Sequence, residues 1–163
     1  MLQPEPIKEP MHSRSTDLRG LALLRQPALN KGTAFSADER RSMGLEGLLP
    51  DQVETLELQV KRAWAAFSAL GDDLERYAFM ESLRRSNLVL FHRVLAEHLE
   101  AVLPIVYTPT VGAVIQGFSR SYRSPLEGVF LSAAQQGRLR QVLRDSLEGP
   151  VDLVLVTDSE GIL

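Results

Sequence analysis

The chain has 163 residues, 44% of them hydrophobic, with a formal net charge of -3 and its basic residues dispersed, which allows one modest core and gives no electrostatic footprint for nucleic acid. It contains no cysteine, so disulfides and thiolate metal sites are excluded and nothing points to an oxidising compartment. Without a long apolar run or a signal-peptide core at the N-terminus, the expectation is a soluble, cytoplasmic protein with no membrane or nucleic-acid partner.

In chain order, residues 1–17 carry Pro4, Pro6 and Pro10 with scattered charge and read as a disordered tail. Leu18 to Leu24 is a short apolar arm that ends before Pro27. Ser36-Ala37-Asp38-Glu39 is a capping box, and a helix is expected from there to about Met43, stopped by Gly44. After Pro50, Asp51 and Glu54 repeat the capping pattern. Val53, Leu56, Val60, Trp64, Phe67 and Leu70 then recur at helical spacing up to Gly71, the clearest amphipathic helix in the chain. Trp64 and Phe67 are read as core at this spacing rather than as a ligand-stacking pair. Asp72 caps a further helix with Leu74, Tyr77, Ala78 and Leu83 inward. A break near Ser86 precedes a helix from Asn87 to Leu99, with Leu88, Phe91, Leu95 and Leu99 on one stripe. His92 and His98 are six residues apart, on different helix faces, and cannot chelate one metal from a single helix.

Pro104 and Pro109 bracket Tyr107. Each fixes φ and removes a donor, so neither flank is expected to be helical straight through, and Tyr107 is expected on a rigid bend. Thr110 stands where an N-cap would, ahead of Val111, Val114, Ile115 and Phe118, so a helix is expected to begin there with its free N–H groups beside the tyrosine. A phenol in that position can bind a carboxylate and move a proton; the plainer reading is a half-buried tyrosine satisfied by backbone. Arg120, Tyr122 and Arg123 read as a solvated helix end. Gly128 to Leu131 and Val151 to Val156 read as strands around a helix from Ser132 to Leu147, with Leu139, Val142, Leu143 and Leu147 inward. That β-α-β order, with strands apolar on both faces, belongs to a covered parallel sheet larger than two strands, so the chain is expected to stop inside an α/β domain.

The run Ile105-Val106-Tyr107-Thr108-Pro109-Thr110-Val111-Gly112 resembles the signature of the malic enzymes, the decarboxylating malate dehydrogenases. Leu29 to Ser36, Glu39-Arg40 and Gly47 to Pro50 resemble the family's N-terminal block in the same order. Val156-Thr157-Asp158 with Ile162-Leu163 resembles the segment that opens its next domain. The resemblance runs from about Leu18 to the last residue and covers only the front part of such an enzyme. It implies a mainly α fold: a helical N-terminal malic-enzyme domain over residues 18–125, then the first β-α-β unit of an incomplete α/β domain over 126–163. It also implies subunit contacts through the N-terminal arm, and hence a homo-oligomer.

The family oxidises L-malate with NAD or NADP, decarboxylates bound oxaloacetate with Mg or Mn as Lewis acid, and protonates enolpyruvate. By the resemblance Tyr107 is the proton donor, a role suited to a phenol whose ordinary pKa near ~10 keeps it protonated at neutral pH. The chain has no G-x-G-x-x-G and no metal-spaced carboxylate cluster, so no metal residue is assigned, and neither cofactor nor metal is expected to bind these 163 residues alone. Gly161 stands where many family members carry an arginine near substrate and cofactor, and it is the one candidate cofactor-binding position. The glycine equally suits a tight turn. It also resembles the pattern of the malolactic enzymes, which take malate to lactate, and these are the nearest enzymatic alternative. From another class, the 163 residues alone read as a non-catalytic helical oligomerisation module.

Overall fold

A computed structural model describes residues 16–122, 128–147, 149 and 151–155. They divide into two compact units, up to Val111 and from Gly112 onward. The expected domain boundary near residue 125, the tail over residues 1–15 and Asp158 to Leu163 lie outside the described residues.

The first unit opens with α1 (Gly20–Leu24) and a 3-10 turn (Gly32–Ala34), then α2 (Ala37–Ser42). α2 begins as the sequence predicts. Ser36 Oγ accepts from Glu39 N–H at 3.2 Å and Glu39 Oε2 accepts from Ser36 N–H at 2.8 Å, and the chain leaves the helix at Gly44 with φ +67. Leu23, Phe35 and Leu45 form a small core under these elements, with Leu24, Leu29, Met43 and Leu49 against it.

Arg40, on α2, is buried, and its guanidinium donates to backbone carbonyls only. Nε reaches Phe35 O at 2.9 Å; Nη1 reaches Pro50 O at 2.6 Å and Asp51 O at 3.1 Å; Nη2 reaches Thr33 O at 2.9 Å and Gln52 O at 3.2 Å. All five N–H donors of the side chain are used. This explains a difference from the sequence reading. Residues 50–52 turn their carbonyls toward Arg40 instead of starting a helix, so Asp51 and Glu54 are not caps and Val53 is 43% exposed rather than in the core. α3 runs Leu56–Ala69, capped by Thr55, whose side chain accepts from Leu58 N–H at 3.2 Å.

α3, α4 (Asp73–Ser86), α5 (Leu88–Glu97) and α6 (Leu99–Val106) pack on one another around the main core. Val60, Ala63, Phe67, Met80, Leu90, Phe91, Val94, Val102 and Ile105 are buried there, with Leu56, Trp64, Tyr77, Leu83, Leu88 and Leu95 half-buried against them. Each buried aliphatic or Phe side chain contributes roughly 1.5–3 kcal/mol. Asp72 caps α4 through Leu74 and Glu75 N–H. The break at Ser86 is made by Asn87, which ends α4 and caps α5 by accepting from Leu90 N–H at 2.9 Å. The expected stripe does not reach Leu99, which is half exposed, because α5 stops at Glu97 and His98, at φ -127 and ψ 36, starts a new helix in another direction. Leu74 and Ala78 also face outward.

The loop before α2 is tied to these helices by amides. Asn30 Nδ2 donates to Leu24 O and Ser86 O, Asn30 Oδ1 accepts from Gly32 N–H, and Gln59 Nε2 donates to Lys31 O. At Gly32, φ is +55 and a Cβ would stand 3.0 Å from Gln59 Oε1, so any other residue would be strained in its backbone and would crowd Gln59. Against the expectation of no long apolar run, Leu99–Gln116 is by length and composition apolar enough to cross a membrane. It is folded as two helices, α6 and α7 (Thr110–Gln116), and Val102 and Ile105 are part of the helical core.

The second unit carries α8 (Phe118–Ser121), a 3-10 turn (Ala133–Gln135) and α9 (Leu139–Ser146). Ser132 and Gln135 make a capping box, but Gly137 at φ +83 divides the expected helix of residues 132–147 in two. Val142 and Leu143 are half-buried, while Leu139 and Leu147 are exposed. The described residues contain no strand. Residues 128–131 and 151–155 are unpaired, and Leu153, Val154 and Leu155 are 82%, 74% and 86% exposed. A parallel pair needs neighbouring strands and cover on both faces, and the described residues supply neither to these segments.

Two measurements check the first unit. Replacing Arg40 by Met leaves the buried Phe35 carbonyl and four part-buried carbonyls without their donors and should cost roughly 3 kcal/mol in urea unfolding; a cost below ~1 kcal/mol would show the clasp to be dispensable. Lys should fare nearly as badly, since its three donors cannot span five carbonyls.

Acid sensitivity is the second. The hydrogen bond from Arg84 to Glu81, at 2.8 Å, outweighs partial burial and holds the Glu81 carboxyl below its ordinary pKa. Burial raises Glu39, but the hydrogen bonds from Lys31 and Ser36 hold it below the usual range on balance. A depressed carboxylate stabilises the fold fully above its unfolded pKa, near ~4.3, and that stability is lost as pH falls through the lower folded value. The urea midpoint should therefore hold between about pH 7 and 5 and fall below about 4.3, less steeply in Glu81→Gln.

Candidate functional site

Tyr107 is the C-cap of α6, and the fold holds it by its backbone while leaving its ring outside. Its N–H donates to Leu103 O at 2.9 Å and its C=O accepts from Val111 N–H at 2.8 Å. The residues before it are seated inward, with Ile105 5% and Val102 0% exposed. Tyr107 itself is 60% exposed, and its hydroxyl makes no hydrogen bond among the described residues. The half-buried, backbone-satisfied tyrosine is therefore not what the chain builds. A phenol placed this way is free to meet a ligand.

The bend around it differs from expectation in two respects. Pro104 lies inside α6, as its sixth residue, and the bend falls at residues 107–109, where the Thr108–Pro109 peptide is cis. Proline is accepted there at the expense of one helical bond, since Glu100 O receives no N–H from residue 104. Thr110 is not a cap outside the helix. It is the first residue of α7 and is 5% exposed. The N–H of Val111 is engaged by Tyr107 O, so it is not available beside the phenol as the sequence suggested.

The other residues singled out from sequence are not brought to Tyr107. His92 is exposed, its ring edge-on to Phe91 at 5.2 Å. His98 lies parallel to Trp64, 3.7 Å between centroids and 6° between planes, while Trp64 also stacks on Phe67 at 5.3 Å. Trp64 and Phe67 are thus core, as their spacing suggests. The histidine that completes the stack comes from 34 positions away and has no local signal. In the second unit Tyr122 belongs to an aromatic trio with Phe118, at 5.6 Å, and Phe130, at 6.2 Å, and Phe130 went unnoticed because it falls in the expected strand. Arg123 and Gly161 lie outside the described residues.

The acidic residues serve the fold. Glu54 accepts from Thr33 Oγ1 at 2.6 Å and from Arg62 Nη1 at 2.6 and 2.7 Å, and the Thr33 hydrogen bond is the largest influence holding its carboxyl below the ordinary range. Among the described residues no group of three or more His, Asp or Glu could hold a metal ion. The donor set for a divalent metal is therefore not found among them, and no step through a metal is assigned to these residues. Cavities of about 610 Å³, lined by Arg140, Leu143 and Arg144, and of about 280 Å³, beside Arg40, Arg41 and Leu45, do not include Tyr107 in their lining.

Comparison with known proteins gives this geometry its context. The family described as "Malic enzyme, N-terminal domain" matches residues 84–163, which include α6 and Tyr107. An NAD-dependent malic enzyme of Pseudomonas aeruginosa strain LESB58 is 46% identical over 144 residues, 88% of this chain and 25% of that protein. NAD-dependent malic enzyme 3 of Bacillus subtilis strain 168 is 44% identical over 150 residues, 91% of this chain and 26% of that protein. An NAD-dependent malic enzyme of Aeromonas salmonicida strain A449 is 43% identical over 144 residues, covering 88% and 25%. The chain spans about a quarter of the length of the curated relatives it matches.

Proposed function

Because the chain belongs to the malic enzyme family and corresponds to its N-terminal part, we propose that the whole protein oxidatively decarboxylates L-malate to pyruvate and CO2 with NAD, and that Tyr107 is its proton donor. The observation that carries the reading is an exposed phenol held at both backbone ends, at the tip of a helix whose other face is in the core, within the segment that the family match covers. Residues beyond this chain supply the nicotinamide site and the Mg or Mn ligands, and the segment after Val151 completes its β-α-β unit in the α/β domain. NAD is favoured over NADP by the names of the three relatives. The protein acts as a cytoplasmic homo-oligomer, and Gly161 is its candidate cofactor-binding position.

The chemistry assigned to this chain is one proton transfer. After CO2 leaves, the C2–C3 double bond of enolpyruvate draws the phenolic proton to C3; the C–H bond forms as the phenolic O–H bond breaks, the C2 hydroxyl releases its own proton to solvent as it becomes the ketone of pyruvate, and the phenolate takes a proton back from solvent. An exposed tyrosine meets solvent easily for that last step. A fixed backbone keeps the hydroxyl in reach during the first.

Replacing Tyr107 by Phe in the whole protein keeps the ring and removes the hydroxyl. Malate turnover should slow by roughly 10²–10⁴-fold with KM for malate little changed, while reduction of oxaloacetate by NADH is less affected. Equal loss in both half-reactions would mean that the tyrosine only shapes the pocket; unchanged turnover would remove it from the mechanism. The 163 residues alone should give no malate-dependent NADH, and turnover by them would overturn the division of the site proposed here.

A further inference from the structure

We propose that Ile105 is a positioning residue for the Tyr107 phenol, an inference that rests on Tyr107 being the proton donor. α6 is only eight residues long, and Pro104 deletes the bond from residue 104 to Glu100 O in the turn that leads into Tyr107. Backbone hydrogen bonding alone therefore holds this end of the helix poorly. What fixes it is side-chain burial. Val102 and Ile105 are seated in the core formed with α4 and α5, Val106 packs against it, and the chain then turns outward so that Tyr107 is 60% exposed.

Ile105 is the last fully seated side chain before the phenol, two residues away, next to the proline that breaks the ladder. Cores are close-packed, so removing one methyl from Ile105 leaves space into which the end of α6 can shift. A shift there is transmitted to Tyr107 through two peptide units, without contact between Ile105 and substrate. Val60 gives the comparison: it lies in the same core, 2% exposed, but on α3, 47 positions from the tyrosine along the chain rather than two.

The test is made in the whole protein with Ile105→Val, Val60→Ala and Tyr107→Phe measured side by side. Ile105→Val should lower kcat for malate decarboxylation about ten-fold with KM for malate and the rate of oxaloacetate reduction unchanged, the signature of a misplaced donor. Val60→Ala should lower the melting temperature at least as much and leave kcat near the parent value, which separates positioning from general loss of stability. If Ile105→Val leaves kcat unchanged, or if both core variants lower it alike, the positioning role is wrong. If Tyr107→Phe itself leaves turnover unchanged, the proton-donor reading falls and takes the positioning role with it; a slow Tyr107→Phe beside an unaffected Ile105→Val removes only the latter. Should Ile105→Val prove too mild to perturb packing, as judged by an unchanged melting temperature, Ile105→Ala at reduced temperature must show the same selective loss of kcat, and its absence overturns the proposal.

Discussion

A buried guanidinium bound to backbone carbonyls alone is the constraint on which the front of this structure depends. Arg40 joins two separate pieces of chain, the stretch Thr33 to Phe35 that leads into α2 and the segment Pro50 to Gln52. A guanidinium taken out of water is tolerated only when its donors are satisfied, and here every N–H has a carbonyl. The carbonyls of residues 50–52 are turned toward Arg40 and not along a helix. Helix α3 consequently starts at Leu56, and the register of its buried face, Val60, Ala63 and Phe67, follows from that start.

From there the core passes inward to the site. α3 offers Trp64 and Phe67 to a stack that His98 closes, and His98 is the residue at which α5 ends and α6 begins. The direction of α6 is thus fixed at its first turn by an aromatic stack and along its length by Val102 and Ile105. Tyr107 is carried out of the core by this arrangement. Its exposure is a result of where α6 stops.

What was legible in the sequence was local. The Ser36 to Glu39 box, the Asp72 cap, the break at Ser86 and the helical spacing of Val60, Trp64 and Phe67 each depend on residues within a few positions of one another, and each is found in the structure. The misses share a cause in contacts from a distance. Asp51 and Glu54 form an acceptable capping pattern until Arg40 claims the neighbouring carbonyls, and Leu99 extends a good stripe until His98 redirects the chain. Pro104 reads as a helix breaker, yet burial of Val102 and Ile105 around it keeps α6 intact. The strands expected at residues 128–131 and 151–156 rest on apolar, β-branched composition, which specifies that a segment suits a sheet and not that a sheet is there to receive it. Pro104 and Pro109 set Tyr107 apart from Tyr77, whose phenol is pushed up in pKa by burial and which packs against the core, but its role as a proton donor comes only from the signature around it.

The central claim is that the phenol of Tyr107 delivers the proton to C3 of enolpyruvate. Delivery by a fixed group is stereospecific, whereas an enol protonated by bulk water receives hydrogen on either face. The direct measurement is the chirality of the methyl group of pyruvate formed from stereospecifically deuterated malate in tritiated water, compared between the parent protein and Tyr107→Phe. A chiral methyl from the parent and a racemic one from Tyr107→Phe is the predicted result; a methyl of equal chirality from both would show that another group protonates the enol.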